Sequence, residues 1–463
     1  MNNDLAIDSG TKTKRPGLKF LISLAVAIGM VFLLKQPQFT DSQVYVIFLL
    51  CFSIGLWITE AIPAFAVSLF IIAFLVFAMG NKHFNSAPEK IDIYVNTFSS
   101  AVIWLMLGGF FLALAMKKTK LDESFFQFAV RISGSNPRSL LFGLMLTTMF
   151  TSMIMSSAAA TAMVVAAITP LVASLGKKSG VTKAFLLGIP LSAIVGGMGT
   201  VIGTPANAIA VGELANNGIY ISFLDWMIFA VPIAIVLTVL SGLVLIILFL
   251  RDNTPIDPEL IKHKPVEQTL RMKVHRRIVI CILIVTILLW LTGSYLEISV
   301  ASVTAVPLVV FTLTGIVTGK DVRGLPWDTL LLVAGGLSLG AALQRTELFG
   351  HYTGKLVELG LGPITVLLIL AYLGMVVANF MSASALVTIM VPLAFVMLPT
   401  LQKEVAIIIA LVTSAGMFLP VSDIPNSIAY STGYLEQKDL IKNGMVVGLL
   451  GPLLIILWVM FIS

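Results

Sequence analysis

Met155-Ser156-Ser157-Ala158 interrupts a long apolar run with adjacent hydroxyl side chains, and Met381-Ser382-Ala383-Ser384 does the same later in the chain. Each is followed, about forty to fifty residues on, by a proline–asparagine turn, Thr204-Pro205-Ala206-Asn207 or Asp423-Ile424-Pro425-Asn426. A hydrocarbon core tolerates non-helical backbone only where it faces protein or a water-filled cavity. Breaks at matching places in two halves of a membrane chain therefore predict a binding site near the bilayer midplane.

The composition indicates an all-α polytopic membrane protein. Hydrophobic residues make up 58% of the chain, charged residues 11%, and the mean hydropathy is +1.01, whereas a soluble domain carries about 25% charged residues. Apolar stretches of spanning length recur from Leu18 to Ser463. The net charge of +6 comes from basic residues in loops, which does not indicate nucleic-acid binding. Under the positive-inside rule, the tail 1–17 is expected in the cytoplasm and the chain in the inner (cell) membrane.

The two halves of the chain repeat each other. A polar segment, 251–277, separates 18–250 from 278–463 and is expected to be a cytoplasmic linker. Leu107-Gly108-Gly109-Phe110 leads to Lys118-Thr119-Lys120-Leu121, and 227 residues later Gly335-Gly336 leads in the same way to Arg345-Thr346-Glu347-Leu348. The shared order of these motifs, the serine breaks and the proline–asparagine turns predicts an internal repeat.

Two kinds of segment in each half are not ordinary spans. The stretches 99–117 and 328–345 are short and have a glycine pair at their centre, so we predict re-entrant hairpins there. The alternative is a short span with glycine at a helix contact. The runs 139–176 and 365–398 are too long for one span, and the serines at their middles predict broken helices that continue beyond the break.

A helix broken at mid-membrane exposes N–H groups that attract anions and carbonyl groups that attract cations. The breaks add hydroxyl groups and small side chains at Ser156, Ser157, Ala158, Ser382, Ala383 and Ser384. Alternatively, the hydroxyl groups bond back to a carbonyl one turn earlier in their own helix. Asn207 and Asn426 add amide groups within apolar sequence.

Asp423 lies in an apolar zone, where a charged aspartate costs about 2.5–3.5 kcal/mol on insertion scales. A cation, a proton or water must compensate it, or it caps the helix that starts near Pro425. Glu60 is assigned no substrate role. The scattered histidines predict no metal site.

At these motifs the chain resembles the divalent anion/sodium symporter (DASS) family of the ion transporter superfamily. The resemblance rests on Trp57-Ile58-Thr59-Glu60-Ala61-Ile62-Pro63, Leu107-Gly108-Gly109-Phe110, Gly196-Gly197-Met198-Gly199 through Asn207, and Leu419-Pro420-Val421 through Asn426. It implies a homodimer with about eleven spans and two re-entrant hairpins per protomer, and a transport domain that moves elevator-fashion against a scaffold domain. It also implies transport of C4 dicarboxylates, citrate, sulfate or related anions, coupled to sodium or to exchange of another anion.

The resemblance also implies which residues bind. The family has a Ser-Asn-Thr triplet at both breaks, which touches sodium and a substrate carboxylate. The implied substrate-binding residues are Ser156, Ser157, Ala158, Ser382, Ala383, Ser384, Thr204, Pro205, Asn207, Pro425 and Asn426. The implied sodium ligands are Ser152, Ser156, Ser157, Gly199, Ala378, Ser382 and Ala383, and Asp423 is added to them as a hypothesis of our own.

The chain departs from the family at both triplets, which read Ser156-Ser157-Ala158 and Ser382-Ala383-Ser384 and contain no asparagine. Asp423 stands where the family tends to have threonine. We hypothesise that it replaces lost sodium-binding capacity or carries a coupling proton.

The expected function is therefore sodium-coupled secondary transport of a small anion, with a dicarboxylate such as succinate as the first expectation. The alternatives are sulfate or another oxyanion or monoanion with proton coupling or exchange, and an anion channel. The sequence has no His-Glu-x-x-His, no Gly-x-Ser-x-Gly and no ATP-binding loop, so no enzyme and no primary pump is predicted. Besides sodium no organic cofactor is expected, and the expected partners are the anion, membrane lipid and a second copy of the chain.

Overall fold

The computed structural model describes residues 16–85, 88–250, 256, 269–293, 295–348, 361–419 and 422–463. Their regular structure is helical throughout. The first half contains α1 (Pro16–Leu34), α2 (Asp41–Thr59), α3 (Ala64–Met79), α4 (Asp92–Val95), α5 (Ala101–Lys118), α6 (Leu121–Ser133), α7 (Pro137–Ser152), α8 (Ser157–Leu175), α9 (Gly180–Gly197), α10 (Pro205–Asn216) and α11 (Phe223–Phe249). The second half contains α12 (Leu270–Thr292), α13 (Val300–Leu313), α14 (Gly319–Arg323), α15 (Trp327–Arg345), α16 (Pro363–Val377), α17 (Ala383–Met397), α18 (Gln402–Thr413), α19 (Ile424–Ser431) and α20 (Gln437–Ile462). Nearly all of the predicted tail 1–17 and most of the linker 251–277 lie outside the described residues.

The all-α membrane class is confirmed. In the described part of the chain, nine helical segments are long and apolar enough to cross a membrane, and four shorter helices are apolar. Their outward faces carry large apolar side chains, such as Phe32 and Leu21 on α1, which are 79% and 60% exposed. Exposed apolar faces of this extent fit a hydrocarbon solvent rather than water.

The internal repeat is visible in the backbone. After the linker, α12–α15 follow the order of α2–α5, and α16–α20 follow the order of α7–α11. Lys120 and Glu347, 227 residues apart, both adopt a left-handed conformation, with φ of 54° and 48°. The threonine before each of them donates its hydroxyl hydrogen to the carbonyl group four residues earlier at 2.8 Å. Because the left-handed region is disfavoured for these side chains, its recurrence at this offset supports a duplicated unit.

The predicted hairpins at 99–117 and 328–345 are wrong, because α5 and α15 each pass through their glycine pair without a break. The glycines serve close helix contacts instead. Gly109 packs against Ile202, and Gly336 packs against Thr388. A residue without Cβ lets neighbouring helices approach closely and leaves the helical hydrogen bonds intact.

The predicted broken helix at 139–176 is a helical hairpin. Its first arm, α7, runs parallel to α9 and ends beside its C-terminus, where the Met149 carbonyl group contacts Gly196. The second arm, α8, begins at Ser157 beside that same end of α9 and also packs against α9. Four residues connect its other end to the start of α9, so α8 is antiparallel to both helices. The prediction of a break at the serines is confirmed, and the continuation beyond it is corrected to a reversal at 153–156.

The segment 365–398 has the same form. The first arm, α16, ends beside the C-terminus of α18, where Ala378 contacts Gly416. The second arm, α17, leads through four residues to the start of α18. Met390 on α17 packs against Gly374 on α16. The continuation predicted here is likewise a reversal.

The two hairpins enter from opposite faces. The base of the first lies at the end of α11, where Gly180 contacts the Phe249 carbonyl group. The base of the second lies near the start of α11, where the Lys403 ammonium group sits 4.8 Å from the Phe229 ring centre. These two phenylalanines are about 30 Å apart at 1.5 Å per residue. Each half also contains a helix that a loop interrupts, α9–α10 in the first half and α18–α19 in the second. These broken helices cross between the hairpins, since α10 packs against α17 and α18 while α19 packs against α8 and α9.

Candidate functional site

Four helices begin at a central cavity of about 620 Å³. Their N-cap residues are Ser156 on α8, Thr204 on α10, Ser382 on α17 and Asp423 on α19. The three hydroxyl caps each accept a backbone N–H three residues on at 3.3 Å, and the Asp423 carboxylate accepts the Ile424 N–H at 2.7 Å. Because helix N-termini carry partial positive charge, their convergence makes the cavity electrostatically suited to an anion without basic side chains.

Most of the predicted site residues line this cavity. They are Ser156, Ser157, Ala158, Thr204, Pro205, Ala378, Ser382, Ala383, Ser384, Asp423 and Pro425. Ser152, Gly199, Asn207 and Asn426 are not among the residues that line it. Asp423 fulfils both interpretations of the sequence, since it caps α19 and also faces the cavity.

Asn207 supports the loop between α9 and α10. Its Nδ2 donates to the carbonyl oxygens of Gly197, Met198 and Thr200 at 3.0, 3.3 and 2.8 Å. The side chain is fully buried, and its Oδ1 has no hydrogen-bond partner. The amide N–H groups are therefore used to stabilise the loop between α9 and α10. The prediction that they bind substrate is corrected accordingly.

Asn426 supports the equivalent loop before α19. Its Nδ2 donates to the carbonyl oxygens of Met417 and Leu419 at 3.3 and 3.4 Å, and to the Ser422 hydroxyl oxygen at 3.2 Å. In both proline–asparagine turns, the asparagine side chain hydrogen-bonds to the loop on the side away from the cavity. The N-cap residue three positions earlier faces the cavity.

Each hairpin tip is fastened to its neighbouring loop. The Thr200 hydroxyl donates to the Met153 carbonyl group at 2.6 Å, and the Phe418 N–H donates to Asn379 Oδ1 at 2.8 Å. Behind the first tip, the buried Ser152 hydroxyl lies 2.6 Å from the Ala193 carbonyl oxygen and 3.0 Å from Ser157 Oγ. These contacts place hydroxyl and carbonyl oxygens together, which is the donor chemistry that suits a hard cation.

The side-chain charges at the cavity are all negative. Asp423 lies inside, while the exposed Glu60 and Asp328 lie at its rim, and no lysine, arginine or histidine occurs among the described lining residues. Glu60, for which no substrate role is predicted, has a left-handed φ of 50° at the end of α2. A bound anion about 4 Å from a carboxylate loses about 4 kcal/mol per charge pair at an effective dielectric constant of 20. A cation bound beside Asp423 would offset this repulsion.

Several lining residues escaped the sequence analysis. Phe110, Phe380, Thr413 and Ser414 contribute to the wall. The adjacent hydroxyl residues Thr413 and Ser414 precede the break after α18, which is the same signal that the serine pairs gave. The two phenylalanines lie in apolar runs, where nothing distinguishes a cavity wall from a helix contact.

Two oppositely oriented hairpins and two crossing broken helices surround a cavity at which four helices begin. This architecture defines a membrane transporter. A family model described as the sodium:sulfate symporter transmembrane region matches residues 16–462. The chain therefore belongs to the sodium:sulfate symporter family, which confirms the family expected from the motifs.

Individual relatives agree with this family. The sodium-dependent dicarboxylate transporter SdcS of Staphylococcus saprophyticus is 27% identical over 94% of this chain and 89% of its own length. SdcS of Staphylococcus aureus strain USA300 is 28% identical over 90% of this chain and 86% of its own length. The inorganic phosphate transporter PHO87 of Saccharomyces cerevisiae is 29% identical over 81% of this chain, which spans 41% of that protein. In fold, the chain is similar to the Alcanivorax borkumensis YdaH transporter, with a TM-score of 0.59, 15% identity, and coverage of 86% of this chain and 97% of that one.

Proposed function

We propose that this protein is a sodium-coupled secondary transporter of a small dianion, with a C4 dicarboxylate such as succinate as its substrate. The relatives named as sodium-dependent dicarboxylate transporters align over nearly the whole chain. The observation that carries the proposal is the convergence of four helix N-termini on a cavity whose side-chain charges are all negative.

In this proposal the anion binds to the hydroxyl caps and the adjacent backbone N–H groups. Ser156 and Ser382 present hydroxyl groups from the two hairpin tips, and Thr204 presents one from α10. Ala158 and Ala383 keep the wall thin, so that a carboxylate can approach the backbone closely.

Sodium binds beside each tip as a co-transported ion. In the first half, Ser152, Ser156, Ser157 and Gly199 supply hydroxyl and carbonyl oxygens. The unpaired, buried Oδ1 of Asn207 lies in the same loop region and adds an oxygen without a donor. In the second half the proposed ligands are Ala378, Ser382, Ala383 and Asp423, and the Asp423 carboxylate supplies the charge that the altered triplet lacks.

The wider assembly follows the same proposal. The protein works as a homodimer in the inner membrane, and the hairpins move elevator-fashion relative to a scaffold. The rim residue Glu60 lies on the face where α1 begins, since the Lys19 ammonium group donates to the Thr59 carbonyl group at 2.7 Å. With the N-terminus in the cytoplasm, this arrangement is open inward.

A second candidate is an oxyanion such as sulfate or phosphate. Both triplets lack the amide group that the family uses, and PHO87 is named as an inorganic phosphate transporter. Hydroxyl groups and helix N-termini suffice for a tetrahedral oxyanion. An anion channel would share these dipoles but would need no gradient of a second ion.

Uptake into proteoliposomes tests the proposal. Labelled succinate and labelled sulfate are supplied separately, with a sodium gradient, a proton gradient, or neither. Sodium-driven succinate uptake above the gradient-free level is expected. Sulfate uptake alone would favour the second candidate, and electrically driven flux that ignores both gradients would contradict a coupled transporter.

A further inference from the structure

A buried carboxylic acid lies away from the cavity, on α10. Glu213 is 1% exposed, and its Oε1 has no hydrogen-bond partner. Neither the anion-binding residues nor the proposed sodium ligands include Glu213, so the cavity does not explain it.

The carboxyl group fits into a notch on α15. The two helices run side by side in a ladder of every fourth residue, with contacts Ile209–Gly336, Glu213–Gly340 and Asn217–Gln344. Both carboxyl oxygens of Glu213 occupy the space that a Cβ at Gly340 would fill. The glycine therefore receives the carboxyl group, and any larger side chain there would separate α10 from α15.

Among the residues that the structure describes, no cation compensates this acid. Besides α15, the helices α5, α17 and α18 pack against α10. Their titratable and charged residues are Lys117 and Lys118 on α5, Asp328 and Arg345 on α15, and Lys403 and Glu404 on α18, with none on α17. Arg345 pairs with Glu89 at 3.1 Å, and none of these groups forms an ion pair with Glu213 among the described contacts. Because an unpaired charge is costly at such a place, contact between the helices favours the neutral carboxyl group.

The site is close to the face opposite the cavity rim. Asp328 begins α15 at the rim, and Gln344 ends it about 24 Å away at 1.5 Å per residue. Gln344 is exposed and donates to Asn217 Oδ1 at 2.8 Å, one helical turn beyond Glu213. A proton from the opposite face therefore needs to cross only one turn of helix to reach the carboxyl group.

We propose that Glu213 is a proton-binding site that makes the α10–α15 contact depend on pH. When protonated, the carboxyl group occupies the Gly340 notch and holds the helices together on the face away from the cavity rim. When ionised, it requires water, which it reaches only if the two helices separate. Since the joined arrangement binds the proton more tightly, low pH favours it, and the ratio of joined to separated protein falls by up to about tenfold per pH unit on raising the pH.

Cross-linking at the exposed end of the ladder tests this proposal. The pair Asn217→Cys and Gln344→Cys is placed in the full chain with Cys51 and Cys281 replaced, and a short bismaleimide is applied between pH 5.5 and 8.5. We expect the cross-linked fraction with Glu213 to fall, relative to the same pair with Glu213→Gln, as the pH rises. The Gln variant copies the protonated shape and controls for thiol reactivity. Identical pH profiles in the two backgrounds would overturn the proposal.

A second measurement reads the proton itself. We expect an infrared carboxylic-acid C=O band that is absent from Glu213→Gln and disappears from the unmutated protein at high pH. A band that persists to pH 9, or that Glu213→Gln leaves in place, would overturn the proposal. Both measurements are independent of substrate, so their failure is distinguishable from a failure to transport succinate.

Discussion

Thr204 and Asp423 occupy equivalent positions in the two halves of the molecule but differ in charge. Each caps a half-helix that begins at the cavity, and each precedes by three residues the asparagine that supports its loop. The repeat therefore has a neutral cap in one half and a carboxylate in the other. This asymmetry lies within the cavity wall, where it affects which ions bind.

Replacing Asp423 separates its charge from its capping role. Asp423→Thr restores the residue of the other half and keeps an N-cap acceptor. We expect it to fold normally and to raise the sodium concentration for half-maximal uptake by at least about tenfold, because tenfold corresponds to only 1.4 kcal/mol of lost attraction. The sodium titration of uptake in proteoliposomes gives this value. Asp225→Asn, which alters an exposed capping box on α11, is the control. An unchanged sodium dependence in Asp423→Thr would show that Asp423 is only a cap.

The two altered triplets should respond differently to restored asparagine. Ala383 lines the cavity, so Ala383→Asn adds an amide group to the cavity wall. We expect the ratio of succinate to sulfate uptake to rise by about tenfold, since a hydrogen bond to a charged group contributes about 1.5–3 kcal/mol. Ser157 instead packs against Gly197 and bonds to Ser152. We expect Ser157→Asn to lower stability by about 1–3 kcal/mol through overpacking.

Thermal unfolding in detergent and competitive uptake of the two labelled anions check this pair. Equal effects of the two substitutions on stability would contradict the difference in space that the structure shows.

Removing the Asn207 amide should destabilise the break between α9 and α10. Asn207→Ala removes a donor from three buried carbonyl groups. Met198 keeps the Trp226 indole N–H and Thr200 keeps the Gly203 N–H, so the Gly197 carbonyl group is the one left without a described partner. We expect a loss of at least about 1–3 kcal/mol, the cost of one buried unsatisfied group, together with loss of uptake. Thermal unfolding is compared with Asn96→Ala, whose side chain is exposed. Equal melting temperatures for the two variants would argue against the supporting role.

Close approach of α7 to α9 predicts a strong effect at Gly196. A Cβ there would meet backbone atoms of Met149 in the first hairpin, which cannot move without displacing the arm. We expect Gly196→Ala to lower the free energy of unfolding by about 1–3 kcal/mol. Gly29→Ala on α1 is the matched control, because a Cβ there meets no atom within 4 Å and alanine favours the helix. A neutral Gly196→Ala would contradict the packing of the hairpin.

The ion pair between Lys118 and Asp321 predicts stability that is independent of pH near neutrality. The Lys118 ammonium group, 2.6 Å away, and the Thr318 hydroxyl lower the pKa of Asp321 to about 2. The carboxylate is thus ionised in both folded and unfolded states above about pH 4, and its contribution is lost only as the pH falls from there through 2. We expect Asp321→Asn to cost less than about 1 kcal/mol, equally at pH 5 and pH 8, because the pair is at the surface.

Thermal unfolding of Asp321→Asn at low and high salt checks this estimate. The difference from the unmodified protein should shrink at high salt, since exposed charges are screened over about 10 Å at 0.1 M. A cost that grows between pH 8 and pH 5 would contradict the low pKa.

Composition and matched motifs were sufficient for the membrane class, the repeat and the helix starts at the cavity. Serine is among the residues preferred at helix N-caps, so the helix starts after Ser156 and Ser382 agree with the breaks predicted there. The family motifs then supplied the residues that surround the cavity, including Thr204 and Pro425.

The positions of the hairpins could not be placed from sequence. A glycine pair in a short apolar stretch is consistent with a turn and equally with a close helix contact, and in α5 and α15 the contact with Ile202 or Thr388 is what requires glycine. Glu213 is a similar case. The chain shows an acid in an apolar run, but its partner Gly340 lies 127 residues away and becomes apparent only when α10 and α15 are side by side.

The opposite orientation of the two hairpins has a consequence for the energetics of the proposed cycle. In an inverted pair, the shape that one half adopts toward one face is available to the other half toward the other face. The conformation open to the opposite face then arises when the two halves exchange their conformations. With a perfectly symmetric sequence, the two open conformations would be equally populated. The positions at which the halves differ, such as Thr204 and Asp423, set the bias between the two openings, so one aspartate and the cation proposed to bind it can shift an otherwise balanced equilibrium.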